Sequence, residues 1–306
     1  MWTGHLPAVL ASTAISMSTA IMKTNKIRFN EAGLNYLDTQ TPGPPLVLLH
    51  GVLRRHQDFV PILPELAFRY HCIAVDHRGH GGSSHVTGQY RVIDYTADVA
   101  ELIGYLFSVQ PVILYGHSLG AMVAAEVAAQ CPEHVRALIL EDPPFQTMGR
   151  RFDATPLAGY FRGLKDAVDA FTDQQDLARK LGEIEITDPA SGKFWKLADV
   201  RDEVSIRFAA ACLTEIDSSV LDPIVAGKWL DGYDEQQIFS EIRCPTLALQ
   251  ADPAAGGMLV DEDVQRMRES IPDFQHVRFP SADHLLHWSR REAVMECVTG
   301  FLESLQ

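Results

Sequence analysis

Hydrophobic positions along the chain fall into three kinds of run. The first is short and continuous. Leu46-Val47-Leu48-Leu49, His71-Cys72-Ile73-Ala74-Val75-Asp76, Pro111-Val112-Ile113-Leu114-Tyr115, Val135 to Leu140 and Pro245 to Gln250 are of this kind. A run of four to six residues without polar alternation marks a strand buried on both faces of a parallel sheet. The second kind repeats at helical spacing. It predicts helices over Asp58 to Arg69, Val92 to Phe107, Asp261 to Ile271 and about Arg290 to Leu305. The third is short and partly alternating. Lys26 to Asn30 and Leu34 to Asp38, with Glu31-Ala32-Gly33 between them, predict an opening β-hairpin, and His276 to Phe279 a late strand.

Strands and helices in alternation imply an α/β fold, a mostly parallel, doubly wound sheet with helices on both faces. From Phe145 to about Ser240 the rhythm breaks. Helical segments dominate there, with Tyr160, Phe161, Phe171, Phe194, Trp195, Phe208, Trp229 and Tyr233 interspersed. This stretch reads as a helical cap inserted between two sheet strands. The expected division is an N-terminal extension over 1–25, core over 26–144, cap over 145–240 and core again over 241–306. The length of 306 residues with 46% hydrophobic content points to one large domain rather than two.

The formal net charge of -14 argues against a nucleic-acid partner and against electrostatic docking on an anionic membrane. No segment is both long and apolar enough to predict a membrane span. Five scattered cysteines without a CxxC pair suggest neither a zinc site nor a disulfide framework. A cytoplasmic location fits best. Met1 to Ala20 is fairly apolar but has no Lys or Arg ahead of its apolar part, so it makes a poor signal peptide. Export is therefore the second reading, and homo-oligomerisation stays open.

The chemistry converges on Gly116-His117-Ser118-Leu119-Gly120, which lies between a buried strand and a run of small helix formers, Ala121 to Ala129. A serine at such a turn is lifted clear of the sheet, and glycines flank it because a Cβ would strike neighbouring backbone. A serine hydroxyl needs a base, the base an orienting carboxylate, and the oxyanion needs donors. Parallel sheets bind ligands at the carboxyl ends of their strands, so position chooses among the 12 histidines. His284, in the loop after the last strand, is the expected base, with His287 as fallback. Asp252, after the penultimate strand, is the favoured acid. Asp142, also an Asp-Pro at a strand end, competes for the role and keeps the same chain order. The backbone N–H groups of Leu119 and Val52 are the expected oxyanion donors.

Three other features have plainer readings. Arg54 and Arg55 could catch a substrate carboxylate, but pairing with Asp58 is the simpler reading. Asp76 and Arg78 should brace the glycine-rich loop His77 to Ser84. Glu126 should lie on a partly exposed helix face.

Together, His50-Gly51, the Asp76 to Gly81 loop, Gly116 to Gly120, Asp252 and His284 resemble the α/β-hydrolase fold superfamily, of the class with a helical cap. The resemblance covers about residue 26 to the end. It implies a Ser-His-Asp machine that acts through an acyl-enzyme, since relatives with an alkyl-enzyme carry Asp where Ser118 stands. It implies no metal and no organic cofactor. The leading expectation is a carboxylic ester hydrolase, lactones included, acting on a small molecule. Hydrolysis of a carbon–carbon or amide bond by the same triad is the alternative, and a ligand receptor built on this fold is the reading from another class.

Overall fold

The computed structural model describes residues 22–29, 32–187 and 191–305. Residues 1–21 of the expected N-terminal extension lie outside the described residues. Lys23 to Asn25 already belong to the first strand, ahead of the Lys26 start read from the sequence.

Among the described residues ten strands follow in chain order: β1 (Lys23–Phe29), β2 (Ala32–Asp38), β3 (Pro45–Leu49), β4 (His71–Asp76), β5 (Val112–His117), β6 (Val135–Glu141), β7 (Glu185–Thr187), β8 (Phe194–Lys196), β9 (Thr246–Gln250) and β10 (Phe274–Arg278). Eight form one sheet in the order β1-β2-β4-β3-β5-β6-β9-β10. The β1–β2 and β2–β4 pairs are antiparallel, and the pairs from β4 to β10 are parallel. The continuous apolar runs are the central strands, as their composition requires. Alternate residues serve opposite faces. Leu46, Leu48, Ile113, Tyr115 and Ile139 join one core, and Val47, Leu49, Leu114, Leu138 and Leu140 the other.

Among the described residues three helices belong to the first half: α1 (Leu63–Leu66), α2 (Val92–Leu106) and α3 (Leu119–Gln130). The helix expected over Asp58 to Arg69 is cut to a 3-10 turn at His56–Phe59 and the short α1. Pro61 and Pro64 each lack an N–H donor and cannot sit inside a longer helix. α3 is buried along nearly its whole length, from Leu119 to Ala129. Glu126 on it is only 6% exposed, contrary to expectation. Its carboxylate accepts from Thr96 Oγ1 of α2 at 2.8 Å and Gln130 Nε2 at 3.0 Å.

Between β6 and β9 come α4 (Leu157–Ala170), α5 (Gln174–Gly182), the β7–β8 hairpin, α6 (Leu197–Val200), α7 (Glu203–Leu213), α8 (Asp222–Val225) and α9 (Glu235–Glu241). The hairpin was not foreseen. Of β7 only Ile186 is buried, too short a signal to read as a strand. The insert shares the core of the α2–α3 face through Phe145, Phe161, Leu164 and Phe239. Tyr233 donates its hydroxyl to Met122 O of α3 at 2.9 Å. The chain ends in α10 (Asp261–Ser270), α11 (Leu286–Ser289) and α12 (Arg291–Glu303). No helix among the described residues is long and apolar enough to cross a membrane.

Candidate active site

β5 is the middle of the sheet, with β3 on one side and β6 on the other. Three strand ends therefore lie side by side: Gly51-Val52 beyond β3, Ser118 beyond β5 and Asp142 beyond β6. Ser118 has φ 54 and ψ -117, a conformation that L residues seldom adopt and that lifts it from the strand into the start of α3. Its N–H donates to Glu141 O at 2.9 Å, which ties the turn to β6. The flanking glycines are sterically required. A Cβ on Gly116 would lie 2.1 Å from Gly120 O, and one on Gly120 would lie 1.9 Å from Leu49 O. Gly51 presses against the same turn, where an added Cβ would meet Ser118 Cβ at 3.1 Å. Leu119 is the first residue of α3, so its N–H is among those that a helix start leaves without an intrahelical acceptor.

The loop that follows β3 is fixed by neutral histidines. His50 Nδ1–H donates to Gly51 O at 2.8 Å, and its Nε2 accepts from the His77 N–H at 3.1 Å. His77 Nε2–H donates to His50 O at 3.1 Å. His80 donates from Nδ1 to Arg78 O at 2.9 Å and accepts the Leu53 N–H on Nε2 at 3.4 Å. Leu53 is itself at φ 70. Burial lowers the pKa of all three imidazoles, to about 3 for His80. The glycine-rich loop is braced as expected. Asp76 accepts from Gly82 N at 2.9 Å and His56 N at 2.6 Å, and Arg78 forms a two-pronged pair with Asp98. Arg55 pairs with Glu215 of the insert. Arg54 Nε lies 3.9 Å from Asp58, and its guanidinium lies over the Phe208 ring.

His284 is brought to the ends of β5 and β6, and its Nδ1–H donates to Asp142 Oδ2 at 2.6 Å. Its ring centroid is 4.6 Å from that of His117, the neighbour of Ser118, and its carbonyl accepts from His117 Nε2 at 3.0 Å. The pairing with Asp252 favoured from sequence is not what the structure contains. Asp252 follows β9, a strand beyond β6, which places it about 5 Å further from β5. Its carboxylate accepts instead from Ala254 N at 3.1 Å and Ser281 N at 2.8 Å, capping a 3-10 turn. Asp142, at φ 46, is turned inward. It receives Ala251 N at 3.0 Å, Met258 N at 2.8 Å and Leu259 N at 3.1 Å. Those donors hold the carboxylate in one orientation towards His284.

His287, the fallback base, is fully buried. Its Nδ1–H donates to Glu141 Oε1 at 2.7 Å, and its Nε2 lies 3.4 Å from Asp58 Oδ2. Burial alone would lower its pKa. Glu141 and Asp58 outweigh that and raise it to about 10. A cation held between two carboxylates has no lone pair to offer as a base. Asp58 and Glu141 were missed as site-related residues. The Glu141-Asp142 pair was visible at a strand end, but only the sheet decides which face each side chain takes. Among the described residues no group of three or more His, Cys, Asp or Glu is arranged to hold a metal ion.

A family profile describing the alpha/beta hydrolase fold matches residues 44–290, and the chain belongs to that family. The chain is similar to the 2-(acetamidomethylene)succinate hydrolase of Mesorhizobium japonicum, with 39% identity over 100 residues, 33% of this chain and 36% of that protein. The match thus spans little more than a third of that relative's length. The N-formylmaleamate deformylase of Pseudomonas putida is 24% identical over 290 residues, 94% of this chain and 98% of that protein. Among solved structures, that of E-2-(acetamidomethylene)succinate hydrolase superposes with a TM-score of 0.69 at 23% identity, covering 92% of this chain and 99% of that one. That likeness concerns the fold.

Proposed function

We propose that this chain is a serine hydrolase that cleaves a carboxylic ester, open-chain or lactone, through an acyl-enzyme. Ser118 attacks the carbonyl carbon while His284 Nε2 takes its proton. Asp142, fixed by three backbone donors, holds the imidazolium that forms. The N–H groups of Leu119 and Val52 receive the oxyanion, helped by the positive end of α3. His284 then protonates the leaving alcohol and activates the water that releases the acid. The observation that carries this reading is the 2.6 Å contact of His284 with Asp142, one strand from a serine at φ 54. The insert over 145–240 is assigned as a cap above a small-molecule pocket. In support, Arg201 of the insert pairs with Asp283, next to the base.

A second reading, cleavage of an amide-type carbon–nitrogen bond by the same residues, is favoured by the names of the two relatives, one of them a deformylase. The chemistry differs only in the leaving group that His284 protonates. A panel of p-nitrophenyl esters beside N-formyl and N-acetyl amides separates the two. The expected result is ester turnover that Ser118→Ala reduces at least about 10³-fold. Fluorophosphonate should modify the wild type stoichiometrically and leave Ser118→Ala untouched. Turnover that survives in Ser118→Ala overturns the reading. Amide turnover far above ester turnover moves it to the second form.

A further inference from the structure

Each segment that carries a group of the proposed machinery also sends a polar side chain to the opposite face of the sheet. Glu141 precedes Asp142, His117 precedes Ser118, and His287 follows His284 by three residues. Asp58 comes from the 3-10 turn behind the Val52 loop. Tyr115, Ile139 and Phe59 pack on that same face, and Glu141 continues the Ala137-Ile139 row along β6. The four side chains meet in a volume closed to water: Asp58, Glu141 and His287 are 0% exposed and His117 1%.

The contacts run through all four segments. Glu141 Oε1 accepts both Nδ1–H and the backbone N–H of His287, at 2.7 and 3.0 Å, and Glu141 Oε2 accepts from the Tyr115 hydroxyl at 2.5 Å. Asp58 Oδ2 faces His287 Nε2 at 3.4 Å and His117 Nδ1 at 3.8 Å. Asp58 Oδ1 accepts from Trp288 Nε1 at 3.1 Å. Phe59 stacks on the His287 ring at 5.4 Å. With Arg54 3.9 Å from Asp58, the cluster counts two anions and two cations.

Stability alone does not call for this arrangement, because burying charge costs free energy that apolar side chains of the same volume would not. What a charged, directional network supplies is a single geometry. The turn that carries His284 has need of one. It begins at Ser281 with φ 56, contains only the four-residue α11, and is tied to β5 at His284 by the one bond that His284 O accepts from His117 Nε2.

We propose that Glu141, His287 and Asp58 form a buried positioning triad, an imidazole clamped between two carboxylates, that sets where His284 stands relative to Ser118. It rests on the assignment of His284 as base, made above. The groups facing His287 from the packed elements are Glu141 of β6, Asp58 of the 3-10 turn and His117 of β5. Tyr115, Arg54 and Trp288 stand around the carboxylates. Removing the charge of Glu141 leaves the acceptor oxygen but frees His287 to titrate, and the turn loosens as the imidazole loses its proton.

The test uses fluorophosphonate modification of Ser118, which needs no knowledge of the natural substrate. Glu141→Gln and the charge-balanced double variant Glu141→Gln, His287→Gln are compared with wild type. Val298→Ala on α12, which makes none of these polar contacts, serves as a control for lowered stability. In folded protein, judged by circular dichroism and melting, both variants should lose about 10- to 100-fold in the rate constant at saturating reagent. Half-saturation should change little. Glu141→Gln should in addition show a new pH dependence of that rate between pH 6 and 10. Val298→Ala should keep the wild-type rate despite melting earlier. Wild-type rates in both variants, or losses no larger than in Val298→Ala, overturn the proposal. A wild type that reacts no faster than Ser118→Ala instead sinks the serine-hydrolase reading, and the positioning role falls with it.

Discussion

Asp142 and Asp252 are indistinguishable in one dimension. Each opens an Asp-Pro after an apolar strand, and either order of residues suits the proposed triad. The sheet order separates them, since β6 adjoins β5 and β9 does not. So does backbone geometry: φ 46 turns Asp142 towards His284, whereas Asp252 at φ -81 caps its own turn. Neither property is written locally in the sequence. Asp142→Asn should lower kcat by about 10³- to 10⁴-fold with little change in KM, because the neutral amide leaves His284 in the wrong tautomer. Asp252→Asn should stay within a few-fold of wild type, checked by steady-state kinetics on the best ester. Equal losses in both would remove the distinction. The serine turn and the loop histidine at 284 were legible as positions, because strand-turn-helix and a C-terminal loop histidine are patterns of neighbouring residues. Asp58 and Glu141 were not, because their meaning depends on which face of the sheet they take.

At the level of elements, the strands were legible wherever they are buried on both faces. A run such as Leu46 to Leu49 has no other stable home in a chain of this composition. The elements that escaped are those with little burial, such as β7 and β8, or with competing local chemistry, such as the proline-broken 56–66 segment. The glycines of the serine turn are a case where pattern and packing agree, and two substitutions test it. Gly120→Ala puts a methyl into Leu49 O, which is backbone and cannot step aside. It should destabilise the protein by about 3 kcal/mol or more, read as lost folded yield or a lower melting temperature. Gly104→Ala in α2 meets open space, so the same change should raise stability by up to about 1 kcal/mol through helix propensity alone. If both variants melt alike, the steric account of the turn fails.

Across the whole molecule, two buried histidine groups pull stability in opposite directions with pH. His50, His77, His80 and His117 have pKa values lowered first of all by burial, to about 3 for His80 and His117. Their contribution is complete above the ordinary histidine value near 6.5 and is lost as pH falls below it, because the unfolded chain takes up protons that the folded one refuses. His287 behaves in reverse. Its pKa is raised to about 10, so its contribution is complete below about 6.5 and is lost as pH rises towards 10. Glu141, lowered to about 2, adds a further loss only below the ordinary carboxylate range. The two limbs meet in the mid-6s, and unfolding free energy should peak there. Urea titrations from pH 4 to 10 should trace that peak, with a steeper acid side, since these four histidines and the half-buried His276 act there against one. The double variant Glu141→Gln, His287→Gln should flatten the alkaline side and leave the acid slope between pH 5 and 6.5 in place. A stability curve that instead rises steadily to pH 9 would mean that His287 is not held as a cation, and the charge balance of the buried triad would have to be redrawn.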